Sequence, residues 1–458
     1  MKTGLKKGFI TAVLLMIGLG GADAQSAHPA DHASHHTHKT VDYTVDPDTR
    51  EEATPVPDEE GFYWWKGNLH THTLWSDGDH FPETVAKWYR NNGYHFLSLS
   101  DHNTLQTGDK WIQPRLSRYA ASAGGVDVFE QYLEEFGKEW VEFNRKDDTL
   151  QVRLKPLSEY RHLFEEPGRF LLIQGEEITD EKVIHMNAHN IGSFIEPQGG
   201  ETVRAIIQNN VNAVHKHQKE SGRPVLPHLN HPNFHYAVTA EDLAHISGLR
   251  FFEVYNGHRG VQNYGDEHHV DLDRYWDIVL TLRLAHLDKG IMYGLATDDA
   301  HHYDGSTDHT ALPGRGWVMV KARYLTPRHI ITALKKGDYY ATTGVTLRDF
   351  SARDKEYLVE IEPEEGIDYK IQFIGTPKDH DISSEEVLDE NGKPIRATRT
   401  YSREIGQVYR EVEGTQAKYE YTGDELYVRA KIISTKKHPN PFQEGETEMA
   451  WTQPVLVE

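Results

Sequence analysis

From Gly67 to about Val345 the chain alternates short apolar runs of strand length with longer segments of helical period. The strand-like runs are "GNLHTH", "YHFLSLS", "RFLLIQGEE", "HMNAHNIG", "PVLPHLN", "RFFEVYN", "IMYGLAT" and "GWVMVKA". Helical patterns separate several of them: "PETVAKWYRNN" closed by Gly93, "ETVRAIIQNNVNAVHKHQKES" closed by Gly222, and "HHVDLDRYWDIVLTLRLAHLDK" closed by Gly290. Such alternation predicts a parallel sheet covered by helices, and seven or eight units predict a closed or nearly closed α/β barrel.

Residues 105–165 break the rhythm, with a helical stretch "VDVFEQYLEEFGKEWVEFN" followed by "TLQVRLKPLSEYRHLF". An insertion of that size between two barrel strands predicts a helical cap over the mouth. After about Leu347 the pattern becomes short alternating strands, such as "EYLVEIE", "YKIQFIG" and "LYVRAKIIS", which predict a separate all-β, sandwich-like domain over 346–458. The barrel itself is assigned to 61–345.

The N-terminus carries Lys2, Lys6 and Lys7, an apolar core from Phe9 to Leu19, and Ala22-Asp23-Ala24, the pattern of a cleaved signal peptide over 1–24. Export to a periplasm or the exterior is expected. No other stretch is long and apolar enough to span a bilayer, so no membrane attachment is expected after cleavage. Residues 25–60 are His-rich, then Pro- and acid-rich, without hydrophobic periodicity, and predict a flexible leader.

The formal net charge is −22, and removal of residues 1–24 deepens it by two. Such a surface repels phosphate backbones, which excludes a nucleic-acid binder working through counterion release. A small anionic substrate is compatible if bound cations reverse the field locally. The chain has no cysteine, so any metal is held by His, Asp and Glu.

Candidate ligands recur at the strand ends. His70 and His72 lie at period two and so share one face of a strand. "SLSDHN" ends with Asp101, His102 and Asn103, and "QGEEI" with Glu176 and Glu177. "HMNAHNIG" offers His185, Asn187 and His189; "PHLNHPNF" offers His228 and His231; "FFEVYNGH" offers Glu253; "LATDDAHHY" offers Asp298, Asp299, His301 and His302. In a parallel barrel these ends open on one face, and imidazoles with carboxylates there suit two or three divalent ions. Asp101 and Asp298, each beside a candidate ligand, would orient imidazoles or shuttle a proton, or instead cap helices. Arg315 in "LPGRGW" and Arg259 in "NGHRG", with Arg153 and Lys155 from the cap, form a candidate anion clamp.

The motif order H-x-H, S-D-G, S-D-H-N, G-x-E, H-x-N, H-P and D-x-H is similar to that of the polymerase and histidinol phosphatase (PHP) family, in its secreted branch. The similarity covers about Gly67 to Thr343. It implies a distorted (β/α)7 barrel whose mouth holds a di- or trinuclear site of zinc, manganese or iron. The ligands it implies are His70, His72, Asp77, His102, Glu177, His231, Asp299 and His301, with His185 preferred over His189 as the remaining one. Position 78 is Gly where phosphatases of the family have a histidine, which leaves the third ion and the role of His80 open.

The expected function is that of an exported metal-dependent hydrolase, a phosphoesterase that turns a metal-bridged hydroxide on a small phosphorylated or phosphodiester substrate. A carboxyl-ester, carbamate or amide hydrolase on the same site is the alternative, since one secreted branch of the family resembles a carbamate hydrolase. A non-catalytic glycan-binding protein is a third reading. Oligomeric state, metal identity and natural substrate are not legible in the sequence.

Overall fold

The protein is described from a computed structural model over residues 56–114, 127–303, 310–353 and 355–457. The signal peptide and leader expected from the sequence, up to residue 55, lie outside the described residues. Among the described residues no helix is long and apolar enough to cross a membrane.

The first part of the chain runs β1 (Tyr63–Asn68), α1 (Pro82–Asn91), β2 (Phe96–Leu99), β3 (Lys110–Ile112), α2 (Val128–Phe136), β4 (Phe143–Lys146), β5 (Thr149–Leu154), α3 (Leu157–Phe164), β6 (Leu171–Asp180) and β7 (Ile184–His189). It continues with α4 (Val203–Ser221), β8 (Leu226–Leu229), α5 (Ala240–Ala244), β9 (Phe251–Asn256), α6 (Leu272–Thr281), β10 (Tyr293–Thr297), β11 (Trp317–Ala322), α7 (Pro327–Lys336) and β12 (Tyr339–Thr342). Local chemistry sets several boundaries. Thr202 caps α4 by accepting from the Ala205 N–H, and Gly222 ends it in the left-handed conformation.

Neighbouring strands follow the order β10-β9-β8-β7-β6-β2-β1-β11-β12. The β1/β2, β2/β6, β8/β9 and β9/β10 pairs are parallel, as expected from the sequence. The β7 strand is a correction to that expectation: it returns from β6 through a tight connection and is antiparallel to both β6 and β8. Only the few residues from Glu181 to Val183 link β6 and β7, too few for the crossover that a parallel pair requires. The run "GWVMVKA" is likewise antiparallel, as β11 on β1. Past the ends of β1 and β10 the chain pairs again, with Thr71 bridging Ala300, the His72 N–H donating to the Ala300 carbonyl (2.9 Å) and the Asp299 N–H to the His70 carbonyl (3.1 Å). The two ends of the seven-strand run are thereby joined at the mouth.

Helices cover the outside. Ile206, Ile207 and Val211 of α4 and Tyr275 and Trp276 of α6 pack on Leu229, Phe252 and Val254, while Val85, Ala86 and Tyr89 of α1 pack on Leu97 and Leu99. The residues between these, at period two, are Asn68, Ser98, Asn187, His189, His228 and Glu253, polar and fully buried. The ring therefore has a polar interior, unlike a barrel filled with branched aliphatic side chains.

The insertion is mixed rather than helical. Gly137 ends α2, with φ 79°. Asp147 and Asp148, with φ 49° and 61°, form the turn of a hairpin in which β5 pairs with both β3 and β4. Leu74, Trp75 and Phe81 from the mouth loop share a core with Phe129, Tyr132, Val152 and Leu154 of the insertion.

Beyond residue 346 the described strands are β13 (Leu347–Arg353), β14 (Glu356–Ile361), β15 (Tyr369–Pro377), β16 (Ser384–Glu385), β17 (Thr400–Tyr401), β18 (Gln407–Glu413), β19 (Gln416–Glu420), β20 (Glu425–Lys437), β21 (Thr447–Thr452) and β22 (Val455–Leu456). A three-stranded sheet β13-β14-β19 faces β15 and β20 across a core of Tyr357, Val359, Ile371, Phe373 and Val428. This layer is not detached: β21 pairs antiparallel with β12, so the second layer continues the central sheet. Arg429 reinforces the joint with a buried two-point pair to Asp277 of α6 (2.8 and 2.7 Å) and stacks over Trp276.

Candidate metal centre

Four ring segments deliver the centre. His70 and His72 follow β1, pointing the same way at period two, and their Nε2 atoms lie 3.1 Å apart. Glu177 Oε2 is 3.2 Å from both, and Asp299 Oδ1 is 3.3 and 3.1 Å from them. His70, His72 and Asp299 form one group able to hold a cation, and Glu177 joins His70 and His231 in another, so His70 is common to both. Asp299 reaches inward through a left-handed backbone conformation, φ 50°, an uncommon state for a non-glycine residue that is held here by its N–H bond to the His70 carbonyl.

Each carboxylate turns its other oxygen to a second position. Glu177 Oε1 is 3.0 Å from His185 Nδ1 and 3.7 Å from His231 Nε2, and Asp299 Oδ2 is 3.8 Å from His231 Nε2. His102 Nδ1 lies 3.1 Å from Glu177 Oε2, the oxygen that also faces His70 and His72. A third, more open group gathers His72, His102 and His301 around Asp77 Oδ1 at 3.5, 3.6 and 3.4 Å. Groups able to hold a cation thus bring together all nine side chains named from the sequence: His70, His72, Asp77, His102, Glu177, His185, His231, Asp299 and His301. The inner ones are closed from solvent, His70 and His72 completely, although the sequence placed them at an open mouth.

The electrostatics demand positive charge. Burial penalises the carboxylates, yet the surrounding imidazoles hold Glu177 and Asp299 well below the usual carboxylate range. Burial likewise opposes charging of His72, but Asp299 and Glu177 raise it to about 10. Divalent ions are suited to balancing these buried carboxylates.

Antiparallel β7 settles which of its histidines faces the centre. His185 stands at its start, at the mouth, while His189 stands at its far end, where its Nδ1 meets Ser98 Oγ (2.6 Å) and its Nε2 meets His228 Nδ1 (3.0 Å). His80 belongs to none of the cation-capable groups among the described residues; its Nδ1 accepts from the Tyr303 N–H (3.3 Å). Asp79 pairs with His302 Nδ1 at 2.7 Å.

The residues expected to assist catalysis are placed elsewhere. Asp101 accepts from the Thr73 N–H (2.8 Å), Ser76 Oγ (2.7 Å) and Gln106 Nε2 (2.8 Å), and so holds the turn that carries Asp77. Asp298 accepts from the Arg315 and Gly316 N–H groups (2.7 and 2.9 Å) and from Tyr89 Oη (2.9 Å), securing the loop before β11. Arg315 is fully buried and donates to the carbonyls of Gly257 (2.8 Å) and Thr310 (2.6 Å), and Arg259 donates to the Pro441 carbonyl (2.9 Å). Arg153 pairs with Asp109, Glu142 and Glu159, and Lys155 with Glu142. The anion clamp read from the sequence is therefore spent on structure.

Glu253, offered by its strand end in the sequence, and Asn230 and His258, not named there, also contribute. Glu253 meets His70 Nδ1 at 2.7 Å, and Asn230 Nδ2 donates to Glu177 Oε1 at 2.8 Å. His258 accepts the Gly260 N–H on Nδ1 (2.9 Å), its ring 5.7 Å from that of His301. Burial lowers His258 to about 4, so it is neutral and carries its proton on Nε2. The strand-end positions of Glu253, Asn230 and His258 were the available signal.

Fold and site define an α/β protein with a candidate multinuclear metal centre, lined by motifs that resemble those of PHP proteins. Among solved structures the chain is similar to a two-domain protein from Bacteroides vulgatus containing a predicted PHP-like metal-dependent phosphoesterase, with 15% identity over 87% of this chain and 97% of that one and a TM-score of 0.38. No protein-family model matches the chain. No curated protein matches it.

Proposed function

We propose that the chain is an exported metal-dependent hydrolase acting on a small phosphorylated or phosphodiester substrate, and that its seven-strand ring is a distorted (β/α)7 barrel carrying an all-β accessory region over 346–458. One observation carries the reading: Glu177 and Asp299 each direct one oxygen at the His70/His72 position and the other at His231. Carboxylates so placed could be shared between two cations. Zinc, manganese or iron suits the donor set of imidazoles and carboxylates. Bound there, such ions supply Lewis acidity that polarises the scissile group and lowers the pKa of a water.

The chain's own residues divide the remaining work. Asn230 fixes the Glu177 carboxylate, and the Asp299 carbonyl, 2.9 Å from His301 Nδ1, holds that imidazole with Nε2 toward Asp77. His258 offers an N–H to a substrate oxygen on which charge develops. Phe234, its ring 5.1 Å from His231 and 6.4 Å from His258, supplies an apolar wall. The signal pattern over residues 1–24 supports export.

A second reading has a specific observation in its favour. Arg315, Arg259, Arg153 and Lys155 are all engaged within the protein, so the cations suggested for a phosphate are not presented to one. An uncharged carboxyl ester, carbamate or amide needs no such clamp. Metal-loaded protein assayed with p-nitrophenyl phosphate, bis-p-nitrophenyl phosphate and p-nitrophenyl acetate separates the two. Release from the phosphoesters alone supports the first reading, and release from the acetate alone overturns it.

A further inference from the structure

Beneath the centre a file of polar groups crosses the ring interior. Ser98 Oγ is 2.6 Å from His189 Nδ1, His189 Nε2 is 3.0 Å from His228 Nδ1, His228 Nε2 is 3.2 Å from Glu253 Oε1, and the same oxygen is 2.7 Å from His70 Nδ1. Apart from the chain's own atoms nothing reaches these groups, since Ser98, His189, His228, Glu253 and His70 are all completely buried.

The direction of the file follows from its end. Glu253 Oε2 accepts from the His231 N–H (2.8 Å) and Asn256 Nδ2 (2.8 Å), and Oε1 accepts from Thr297 Oγ1 (2.9 Å). A carboxylate surrounded by donors acts as acceptor only, so His228 Nε2 and His70 Nδ1 must both carry protons. With neutral imidazoles, His228 Nδ1 is then an acceptor, which requires a proton on His189 Nε2, and His189 Nδ1 accepts the Ser98 hydroxyl proton. Every polar atom is satisfied in this one arrangement, as burial requires.

We infer that Glu253 is the positioning residue of the centre: the one-way file from Ser98 through His189 and His228 ends on its carboxylate, which holds the His70 proton on Nδ1 and leaves His70 Nε2 facing Glu177 and Asp299. Carboxylates placed behind a ligating imidazole fix its tautomer and raise its basicity, and their loss weakens metal binding about 10–100-fold. His228 also lies in a cation-capable group with His70 and Glu253, but in the file it acts, like His189, through the Glu253 carboxylate. The inference rests on the metal-centre reading for its consequence, but the hydrogen bonds of the file exist without metal.

The experiment therefore has two arms. In histidine-labelled apo-protein, long-range 1H–15N correlation spectra are expected to show His70 protonated on Nδ1 and His189 and His228 on Nε2. In Glu253→Gln the His70 signals shift, and calorimetric titration with zinc shows an affinity lower by about 10–100-fold. Ser98→Ala changes the His189 signals while preserving zinc affinity more closely. If Glu253→Gln does not fold, Thr297→Val removes a single donor and is expected to give a smaller loss. A His70 without a proton on Nδ1 in the wild type, or unchanged zinc affinity in a folded Glu253→Gln protein with altered His70 signals, would overturn the proposal. A wild type that binds no zinc, manganese or iron refutes the metal reading instead, while the spectra still decide the file.

Discussion

His70 and His72 bring their Nε2 atoms to 3.1 Å of each other, while their other ring nitrogens face different carboxylates, Glu253 at 2.7 Å behind His70 and Asp77 at 3.5 Å beside His72. One dipeptide spacing therefore connects the buried polar interior of the ring to its more open rim.

Because His72 belongs both to the inner group and to the group around Asp77, it is expected to matter more for metal content than His185, which belongs to one group only. In His185→Ala, bound metal measured by mass spectrometry should fall by about one ion per chain, and in His72→Ala by more. Equal metal content in the two variants would contradict this assignment.

Gly78 is constrained by space. A Cβ there would stand 2.6 Å from the His72 carbonyl carbon and the Thr73 nitrogen, both backbone atoms that cannot step aside. Gly78→Ala is expected to cost about 1–3 kcal/mol, read from chemical denaturation, and to loosen the turn carrying Asp77. A variant as stable as the wild type would show that the turn tolerates displacement.

Glu83 of α1 ties the insertion to the strand ring, accepting from Tyr132 Oη (2.7 Å) and Trp140 Nε1 (3.0 Å). Burial pushes its carboxyl from 4.5 up to about 7, against the lowering effect of those hydrogen bonds. The folded state thus keeps a proton that the unfolded chain releases, and stability falls as pH rises from about 4.5 to about 7, then levels off. The full effect is about 3 kcal/mol, and Glu83→Gln should flatten the profile and raise stability above pH 7. Denaturation curves at several pH values check it, with an unchanged slope in the variant counting against the assignment.

Where α6 meets the second layer, Asp277 receives Arg429 through two hydrogen bonds and Tyr427 Oη through a third (2.7 Å), with Arg429 fully buried. Asp277→Ala leaves that guanidinium without its main counter-charge and is expected to destabilise the protein by about 3–5 kcal/mol. Metal stoichiometry of the folded protein should be unchanged, because neither residue lies in a cation-capable group. Loss of metal at constant stability would reverse the assignment.

Much of this was legible in the chain. Period-two histidines, carboxylates at the ends of apolar runs and glycine stops after helices are local signals that located the strands, α1 and α4, while the set of nine clustered donors followed from the motif order that resembles the PHP family. The insertion was misjudged because "VDVFEQYLEEFGKEWVEFN" has helical composition throughout, and only Gly137 breaks it. Asp101, Asp298 and Arg315 were misassigned because adjacency to a ligand in sequence says nothing about which way a side chain turns; all three are occupied with backbone groups.

By itself the sequence determined which chemistry arrives at each strand end, since residue type and period two are properties of single segments. The tertiary structure alone decided strand polarity and side-chain partnership. The antiparallel course of β7 sent His185 to the mouth and His189 to the interior, where Ser98, His228 and Glu253 meet it. Those meetings join strands remote along the chain, and a hydrogen-bonded file of buried groups exists only once the ring has closed around it.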